Sequence, residues 1–172
     1  MILFETERYI VRRFTTADNE DFYLVNSHPE VMKFIRPVKN KEACAIFLTE
    51  NIQLYHDDSI IGRYMVIEKK SSLLVGIFSF LFLSDNLNYH IGFALLPTFW
   101  GQGIAQELVQ KGITYFFENT SQNELFAITD AANKASQNVL LKTGFLTAEN
   151  TLEKERLLEL FVIRQEALQA HY

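Results

Sequence analysis

Apolar residues recur at helical spacing in several segments of the chain. The clearest segment runs from Gln102 to Glu118, and its apolar stripe consists of Ile104, Ala105, Leu108, Val109, Ile113, Phe116 and Phe117. Similar spacing predicts further helices over residues 17–26, 41–56 and 133–143. Pro29 suits the start of a short helical turn, Asn40 suits a helix cap, and Gly144 suits the end of the last helix.

Segments rich in β-branched and aromatic residues predict the strands, which span residues 8–14, 63–69, 73–83, 89–96, 124–129, 145–149 and 157–164. The resulting order is β-α-α-β-β-β-α-β-α-β-β, with a strand-helix-strand crossover over residues 89–129. The chain is therefore predicted to have an α/β (α+β mixed) fold, in which about four helices flank a mixed central sheet of about seven strands.

Composition narrows the possible classes of protein. The 172 residues are 48% apolar and 22% charged, which predicts a single domain over residues 1–172. A net charge of −5 disfavours nucleic acid as a partner. The longest apolar run, residues 73–83, is too short to cross a bilayer, and no signal-peptide layout opens the chain. We therefore expect no membrane partner and a cytoplasmic location.

Cysteine and histidine usage limits the chemistry further. The lone cysteine, Cys44, fits a reducing compartment and lies in an apolar helical pattern. That setting favours a small buried residue over a catalytic nucleophile. The histidines lack the spacing of metal ligands, so no metal is expected.

Two glycines, Gly101 and Gly103, lie between a predicted strand and a predicted helix. Glycines let the backbone approach a ligand closely, and a helix N-terminus favours negative charge, so the segment predicts a phosphate-bearing ligand. Gln106 stands where a dinucleotide-binding loop has its third glycine, and the Gly-Lys-Ser/Thr of a P-loop is absent. The loop suits a single pyrophosphate better than either scheme, and a purely structural turn is the alternative.

Polar residues elsewhere are further candidates. Asn133 and Ser136 are three residues apart at the start of a predicted helix, so they share a face, although Asn133 could serve only as a cap. His90 lies within a predicted strand, where a structural role is the competing interpretation. The charged run Glu153, Lys154, Glu155 and Arg156 is expected to form a solvated turn between the last two strands.

Five motifs follow one another along the chain. They are Thr-Glu-Arg-Tyr-Ile-Val-Arg-Arg-Phe at 6–14, His-Pro-Glu-Val-Met at 28–32, Leu-Val-Gly at 74–76, Trp-Gly-Gln-Gly-Ile-Ala at 100–105, and Asn-Lys-Ala-Ser, Val-Leu and Lys-Thr-Gly-Phe between 133 and 145. In this order they resemble the motifs of the GNAT acyltransferase superfamily, and within it those of the RimJ/RimL-like N-acetyltransferases. The resemblance covers nearly the whole chain. It implies the GNAT fold, with a mostly antiparallel sheet, and acetyl-CoA as the acyl donor.

The resemblance also assigns residues to the acyl donor. Pantetheine would lie along Phe93, Ala94, Leu95 and Leu96. The pyrophosphate would meet the loop formed by Trp100, Gly101, Gln102, Gly103, Ile104 and Ala105. Asn133 and Ser136 would lie near the thioester. This chain departs from common superfamily patterns at Trp100, which replaces Gln or Arg, at Leu140, which replaces a tyrosine acid, and at His90, which replaces Glu.

The implied reaction is direct attack of a primary amine on the acetyl thioester. An N–H near Phe93 or Ala94 would stabilise the oxyanion, Ser136, with Asn133 nearby, would serve the leaving sulfur, and His90 would act as base. A peptide or protein N-terminal α-amine is the favoured acceptor. A small amine (polyamine, amino sugar or antibiotic) is an alternative, as is a non-catalytic acyl-CoA-binding module.

The acceptor cleft is expected to be walled by residues 17–60. Acidic residues there could meet a cationic acceptor, namely Glu30, Glu42, Glu50, Asp57 and Asp58, although a solvated acidic face is the favoured interpretation for most of them. The protein is expected to be a monomer or a homodimer.

Overall fold

The computed structural model describes residues 1–57, 59–153 and 155–166. Its strands are β1 (Ile2–Glu5), β2 (Tyr9–Arg13), β3 (Gly62–Glu68), β4 (Leu74–Phe82), β5 (Tyr89–Leu95), β6 (Glu124–Thr129), β7 (Leu146–Thr147), β8 (Thr151–Glu153) and β9 (Arg156–Arg164). Its helices are α1 (Asn19–Asn26), α2 (Pro29–Met32), α3 (Lys41–Gln53), α4 (Ile104–Asn119) and α5 (Lys134–Lys142).

The described strands form one mixed sheet in the order β1-β2-β3-β4-β5-β6-β9-β7, and β8 pairs with β9 beside this path. All neighbouring pairs are antiparallel except β5 and β6. The mixed and mostly antiparallel sheet is therefore confirmed, as is the parallel crossover through α4. Parallel strands need such a long connection, because a hairpin turn cannot join them.

The described residues contain more strands than the predicted seven, and the additional ones are β1 and β8. Both are short and are stabilised by a neighbouring strand, since β1 pairs with β2 and β8 pairs with β9. In β1, Phe4 also packs edge-on against Phe78, with ring centroids 5.1 Å apart. The helix predicted over 41–56 ends at Gln53. The chain turns there, and the Tyr55 hydroxyl donates to the backbone carbonyl of Arg63 on β3.

Helices cover both faces of the sheet. We call the face that packs against α4 and α5 the α4 face, and the face that packs against α1, α2 and α3 the α3 face. Side chains alternate between these faces along each strand. In β5 and the residue after it, Ile91 and Leu95 join the core of the α4 face, whereas Ala94 and Leu96 join that of the α3 face. By the same alternation, His90 lies on the α3 face.

The entry to α1 is held by one ion pair. Asp18 accepts hydrogen bonds from both terminal nitrogens of Arg12 at 2.7 and 2.8 Å, and from the backbone N–H of Thr15 at 2.7 Å. The two charged side chains are only 26% and 11% exposed. These bonds, chiefly those from Arg12, lower the pKa of Asp18 to about 2.

We expect Asp18→Asn to lower the free energy of unfolding by about 2 kcal/mol at pH 7. Because the pKa is depressed in the folded state, this stability is present above pH about 4 and is lost as the pH falls towards 2. Urea denaturation of both proteins across this pH range should show the difference shrinking. Glu20→Gln, in an exposed pair with Lys41, is the control and should leave stability nearly unchanged. An equal difference at every pH would contradict this assignment.

Candidate active site

Strands β5 and β6 separate shortly after they meet. Their described residues pair at two positions, His90 with Phe126 and Ile91 with Ala127. Beyond Ile91, β5 continues along β4 and β6 continues along β9. The sheet therefore opens between residues 92–95 of β5 and the end of β6, and we call this opening the β5–β6 split.

The register of β4 against β5 decides which backbone groups face the split. The N–H of Leu96 donates to the carbonyl of Val75 at 2.9 Å, so Leu96 and every second residue before it direct their peptide groups towards β4. Ala94 belongs to that set. Phe93 and Leu95 direct their N–H and C=O groups the other way, into the split. Of the two residues predicted to supply the oxyanion donor, Phe93 directs its N–H into the split, whereas Ala94 directs its N–H towards β4.

A side-chain hydrogen bond from Trp100 connects the glycine loop to the end of β5. The indole N–H donates to the carbonyl of Leu95 at 2.7 Å, while 49% of the residue stays exposed. Trp100 therefore occupies one of the carbonyls that β5 directs into the split, and its exposed ring borders the loop that follows.

The glycine loop has the backbone geometry that its sequence predicts. Gly101 and Gly103 both have φ of +74°, a left-handed conformation that other residues rarely adopt. A Cβ at either position would meet no described atom within 4 Å. Gly103 is the N-cap of α4, which starts at Ile104 without a side-chain cap. The loop thus presents bare backbone and a helix N-terminus to open space.

An ion pair between Arg8, just before β2, and Glu107 of α4 stabilises this loop. Glu107, in the first turn of α4, accepts from Arg8 Nε at 2.7 Å, and the Arg8 guanidinium also reaches the carbonyl of Gln102 at 3.4 Å. Burial works to raise the pKa of Glu107, but hydrogen bonds from Thr6 and Arg8 outweigh it and the pKa falls below its ordinary value. Arg8 therefore offsets a carboxylate that would otherwise repel an anion at this helix end.

Asn133 and Ser136 lie at the start of α5, in the segment that follows β6. Asn133 Oδ1 accepts from the backbone N–H of Ser136 at 3.2 Å, so Asn133 does cap the helix. Because β5 and β6 run parallel, the segments after both strands lie at the same end of the sheet. The fold therefore brings the glycine loop and the start of α5 to the mouth of the β5–β6 split, where α/β proteins commonly bind ligands.

His90 lies at the closed end of the split, on the α3 face, and is half-buried. It precedes Phe93 by three residues, which corresponds to about 10 Å along a strand. A proton transfer between His90 and an amine near the Phe93 N–H would therefore run through water.

Those acidic residues of the expected acceptor cleft that the structure describes have the setting of a solvated acidic face. Glu30, Glu42, Glu50 and Asp57 are exposed, and Asp57 lies 3.7 Å from Arg13. Asp58 is outside the described residues.

The charged run at 153–156 forms the expected exposed turn, here between β8 and β9, and two of its described side chains also bind elsewhere. The Glu153 carboxylate accepts from the backbone N–H and the hydroxyl of Ser84, at 3.0 and 3.1 Å. Arg156 donates to the carbonyls of Ile35 and Phe34 and pairs with Asp130 at 3.1 Å. Arg156 therefore ties the segment after α2 to the end of β6, beside the split. Lys154 lies outside the described residues.

The structure also bears on the cysteine, on metal-ligand clusters and on membrane-spanning helices. Cys44 is fully buried, and that burial raises the pKa of its thiol, which agrees with a core position rather than a nucleophile. Within residues 1–57, 59–153 and 155–166, no cluster of three or more His, Cys, Asp or Glu side chains could hold a metal ion. None of the helices in that part of the chain combines the length and apolar character needed to cross a membrane.

Comparison with known proteins agrees with this geometry. Residues 8–146 match the family model of the acetyltransferase (GNAT) domain. An uncharacterised N-acetyltransferase of Bacillus subtilis, YoaA, is 27% identical over 146 residues, which cover 83% of this chain and 82% of YoaA.

Solved structures share the fold. One is a Salmonella typhimurium acetyltransferase that modifies the N-terminal serine of ribosomal protein L7/L12, with a TM-score of 0.80 at 16% identity over 95% of this chain and 99% of that one. Another is spermidine N-acetyltransferase from Vibrio cholerae, in complex with CoA and spermine, with a TM-score of 0.78 at 13% identity over 95% and 99% of the two chains. The family match spans most of the sequence, and the fold agrees along its length. The chain therefore belongs to the GNAT family of acetyl-CoA-dependent N-acetyltransferases.

Proposed function

We propose that this enzyme transfers an acetyl group from acetyl-CoA to the α-amine of a peptide or protein N-terminus. The observation that carries the donor side is the β5–β6 split, with the Phe93 peptide group facing it and two left-handed glycines at its mouth. Pantetheine would pair with β5 as an added strand along residues 93–96. The pyrophosphate would meet the backbone of residues 101–105 at the start of α4.

The reaction needs only groups on the chain and the two substrates. The amine nitrogen attacks the thioester carbonyl, a C–N bond forms, the C–S bond breaks, and CoA leaves as a thiolate. The Phe93 N–H would donate to the oxyanion. The Ser136 hydroxyl would donate to the leaving sulfur, and Asn133 would hold Ser136 in place by capping α5. His90 would accept the proton of the amine through water.

The choice of an α-amine rests on proton availability. An α-amine, with a pKa of about 7.7–8.0, is roughly one-tenth neutral at pH 7, whereas a lysine-like amine of pKa about 10.4 is neutral in about one molecule in 2,500. A histidine acting through water suits the first task better, because little deprotonation is needed. The Salmonella relative in fold modifies a protein N-terminus, which agrees with this choice. The spermidine N-acetyltransferase makes a small amine the second candidate.

We expect Gly103→Ala to weaken acetyl-CoA binding about tenfold or more, because its Cβ would project into the space assigned to the pyrophosphate. The affinity is measured by calorimetric titration. Gly144→Ala is the matched control, since Gly144 also has a positive φ, +95°, at the far end of α5. Both substitutions cost about 1–2 kcal/mol of backbone strain. Unchanged affinity in folded Gly103→Ala, or equal loss in both variants, would remove the pyrophosphate assignment.

We expect His90→Gln to lower kcat for a short peptide about a hundredfold near pH 7 and to remove an acidic limb from its pH–rate profile. A limb that comes from protonation of the peptide amine would remain in both proteins, so the comparison isolates the enzyme's base. His56→Gln, at an exposed histidine, should change neither the rate nor the profile. Identical profiles for the native enzyme and His90→Gln would exclude His90 as the base. Acetyl-CoA binding without turnover on any peptide or polyamine would instead favour a non-catalytic module.

A further inference from the structure

Three cationic side chains surround one aromatic ring on the α3 face. The Phe47 ring centroid lies 4.7 Å from Arg36 Cζ, 4.9 Å from Lys39 Nζ and 4.6 Å from Arg63 Cζ. Phe47 belongs to α3, Arg63 to β3, and the other two to the segment between α2 and α3. We call these three residues the cation cluster. The face of an aromatic ring attracts a cation electrostatically, but three like charges around one ring also repel one another.

Within the described residues, the guanidinium groups of the cluster lack acidic partners. Arg36 donates to the neutral amide oxygen of Asn26 at 2.7 Å, and its buried Nε has no hydrogen-bond acceptor. The Arg63 guanidinium makes no described hydrogen bond or ion pair. The charge of Glu50 acts to raise the pKa of Arg63, but this effect is smaller than the opposing ones. Burial lowers the pKa of Arg36, while burial and then the charge of Arg36 lower the pKa of Arg63 to about 10.

Both backbone polar groups of Arg63 are hydrogen-bonded to side chains, which fixes the position of its Cα and hence the origin of its side chain. Its N–H donates to Asn51 Oδ1 at 2.9 Å, and its carbonyl accepts from Asn51 Nδ2 at 3.0 Å and from the Tyr55 hydroxyl. Asn51 is buried, and its side chain acts as a strand partner for Arg63 where β2 no longer pairs with β3. A position fixed in this way is typical of a preorganised binding group.

The cluster lies on the same side of the sheet as the proposed base. Arg63 is in register with Ser79 on β4, which is in register with Gly92 on β5. Two strand spacings separate Arg63 from Gly92, about 10 Å. His90, two residues before Gly92, shares this face. Arg36 also lines an open cleft of about 470 Å³ whose walls include Lys33 and Arg156, so further positive charge lies beside Arg36.

We propose that the cation cluster binds a carboxylate of the acceptor, so that the substrate is an amine that also carries an acidic group. This proposal rests on the proposed acetyltransferase function and names the acceptor's chemical class. Guanidinium groups match carboxylates through paired N–H donors, and a half-buried site strengthens such bonds. Uncompensated buried cations cost folding stability, which a bound anion would recover. The proposed acceptor site is therefore basic at the cation cluster.

The test measures acetyl transfer from acetyl-CoA to matched acid and amide acceptors. The small-molecule arm uses γ-aminobutyrate, δ-aminovalerate and ε-aminocaproate with their primary amides. The peptide arm compares Ala-Glu-Ala-amide with Ala-Gln-Ala-amide. We expect the acid to exceed its amide about tenfold or more in kcat/KM, chiefly through KM, in one arm, which identifies the source of the carboxylate.

The variant Arg63→Met keeps most of the side-chain volume and removes the charge. We expect it to bring the acid-to-amide ratio close to one and to leave the melting temperature unchanged or higher, because charge repulsion is relieved. Lys41→Gln is the matched control: Lys41 is exposed, pairs with Glu20 and lies outside the cluster, so its ratio should stay that of the native enzyme. A purely structural role for Arg63 predicts a lower melting temperature with no change in the ratio.

Failure of this proposal is distinguishable from failure of the proposed function. Acetylation of acids and amides at equal rates in both arms would overturn the carboxylate site and leave the acetyltransferase function standing. If no amine is acetylated, the function fails, and the site is judged by calorimetric titration of the CoA-loaded protein with the same amino acids. Binding that Arg63→Met abolishes would support the site. Absent binding, or binding unaffected by the substitution, would overturn it.

Discussion

The early end of pairing between β5 and β6 is the constraint on which the site depends. Each strand keeps a full partner on its outer side, β4 for β5 and β9 for β6, so the sheet can part at its centre without losing both neighbours of either strand. Buried backbone polar groups require partners, and the peptide groups of β5 that face the split are suited to an extended ligand. The loop after β5 and the start of α5 meet at its mouth because the two strands are parallel. The proposed donor site is thus a consequence of the strand topology, and a few side chains shape it further.

Three separate groups of charged residues lie around this opening. Arg8 offsets Glu107 at the start of α4 and holds Gln102, so the glycine loop keeps its shape and the helix end stays receptive to an anion. Arg156 ties the segment after α2 to Asp130 at the end of β6, beside the split. Arg36, Lys39 and Arg63 form a third group on the α3 face, where repulsion is tolerated. Positively charged side chains therefore lie beside the proposed substrate sites, although the chain as a whole is acidic.

Local pattern predicted much of the fold, because α4, β3, β4 and the glycine loop carry their own periodicity and turn residues. The separation of β5 from β6 could not be predicted, since it depends on how the outer strands hold each of them. The choice of Phe93 over Ala94 required the register with β4. Arg8 and Glu107 are 99 residues apart, and Arg156 and Ile35 are 121 apart, so no local pattern could pair them. The turn at 153–156 was predicted, but its distant partners Ser84 and Ile35 were not, for the same reason. A single-domain organisation and the individual site roles stay predictions.

The central claim is that acyl-CoA lies in the β5–β6 split against the glycine loop. Trp100 is the sole tryptophan of the chain, and it is half-exposed in that loop and bonded to Leu95. The most direct measurement is therefore titration of its fluorescence with acetyl-CoA, alongside calorimetry on the same sample. We expect a saturable change in emission whose midpoint equals the calorimetric dissociation constant. Calorimetric binding without any change at Trp100 would contradict the location, and no binding by either method would contradict the account as a whole.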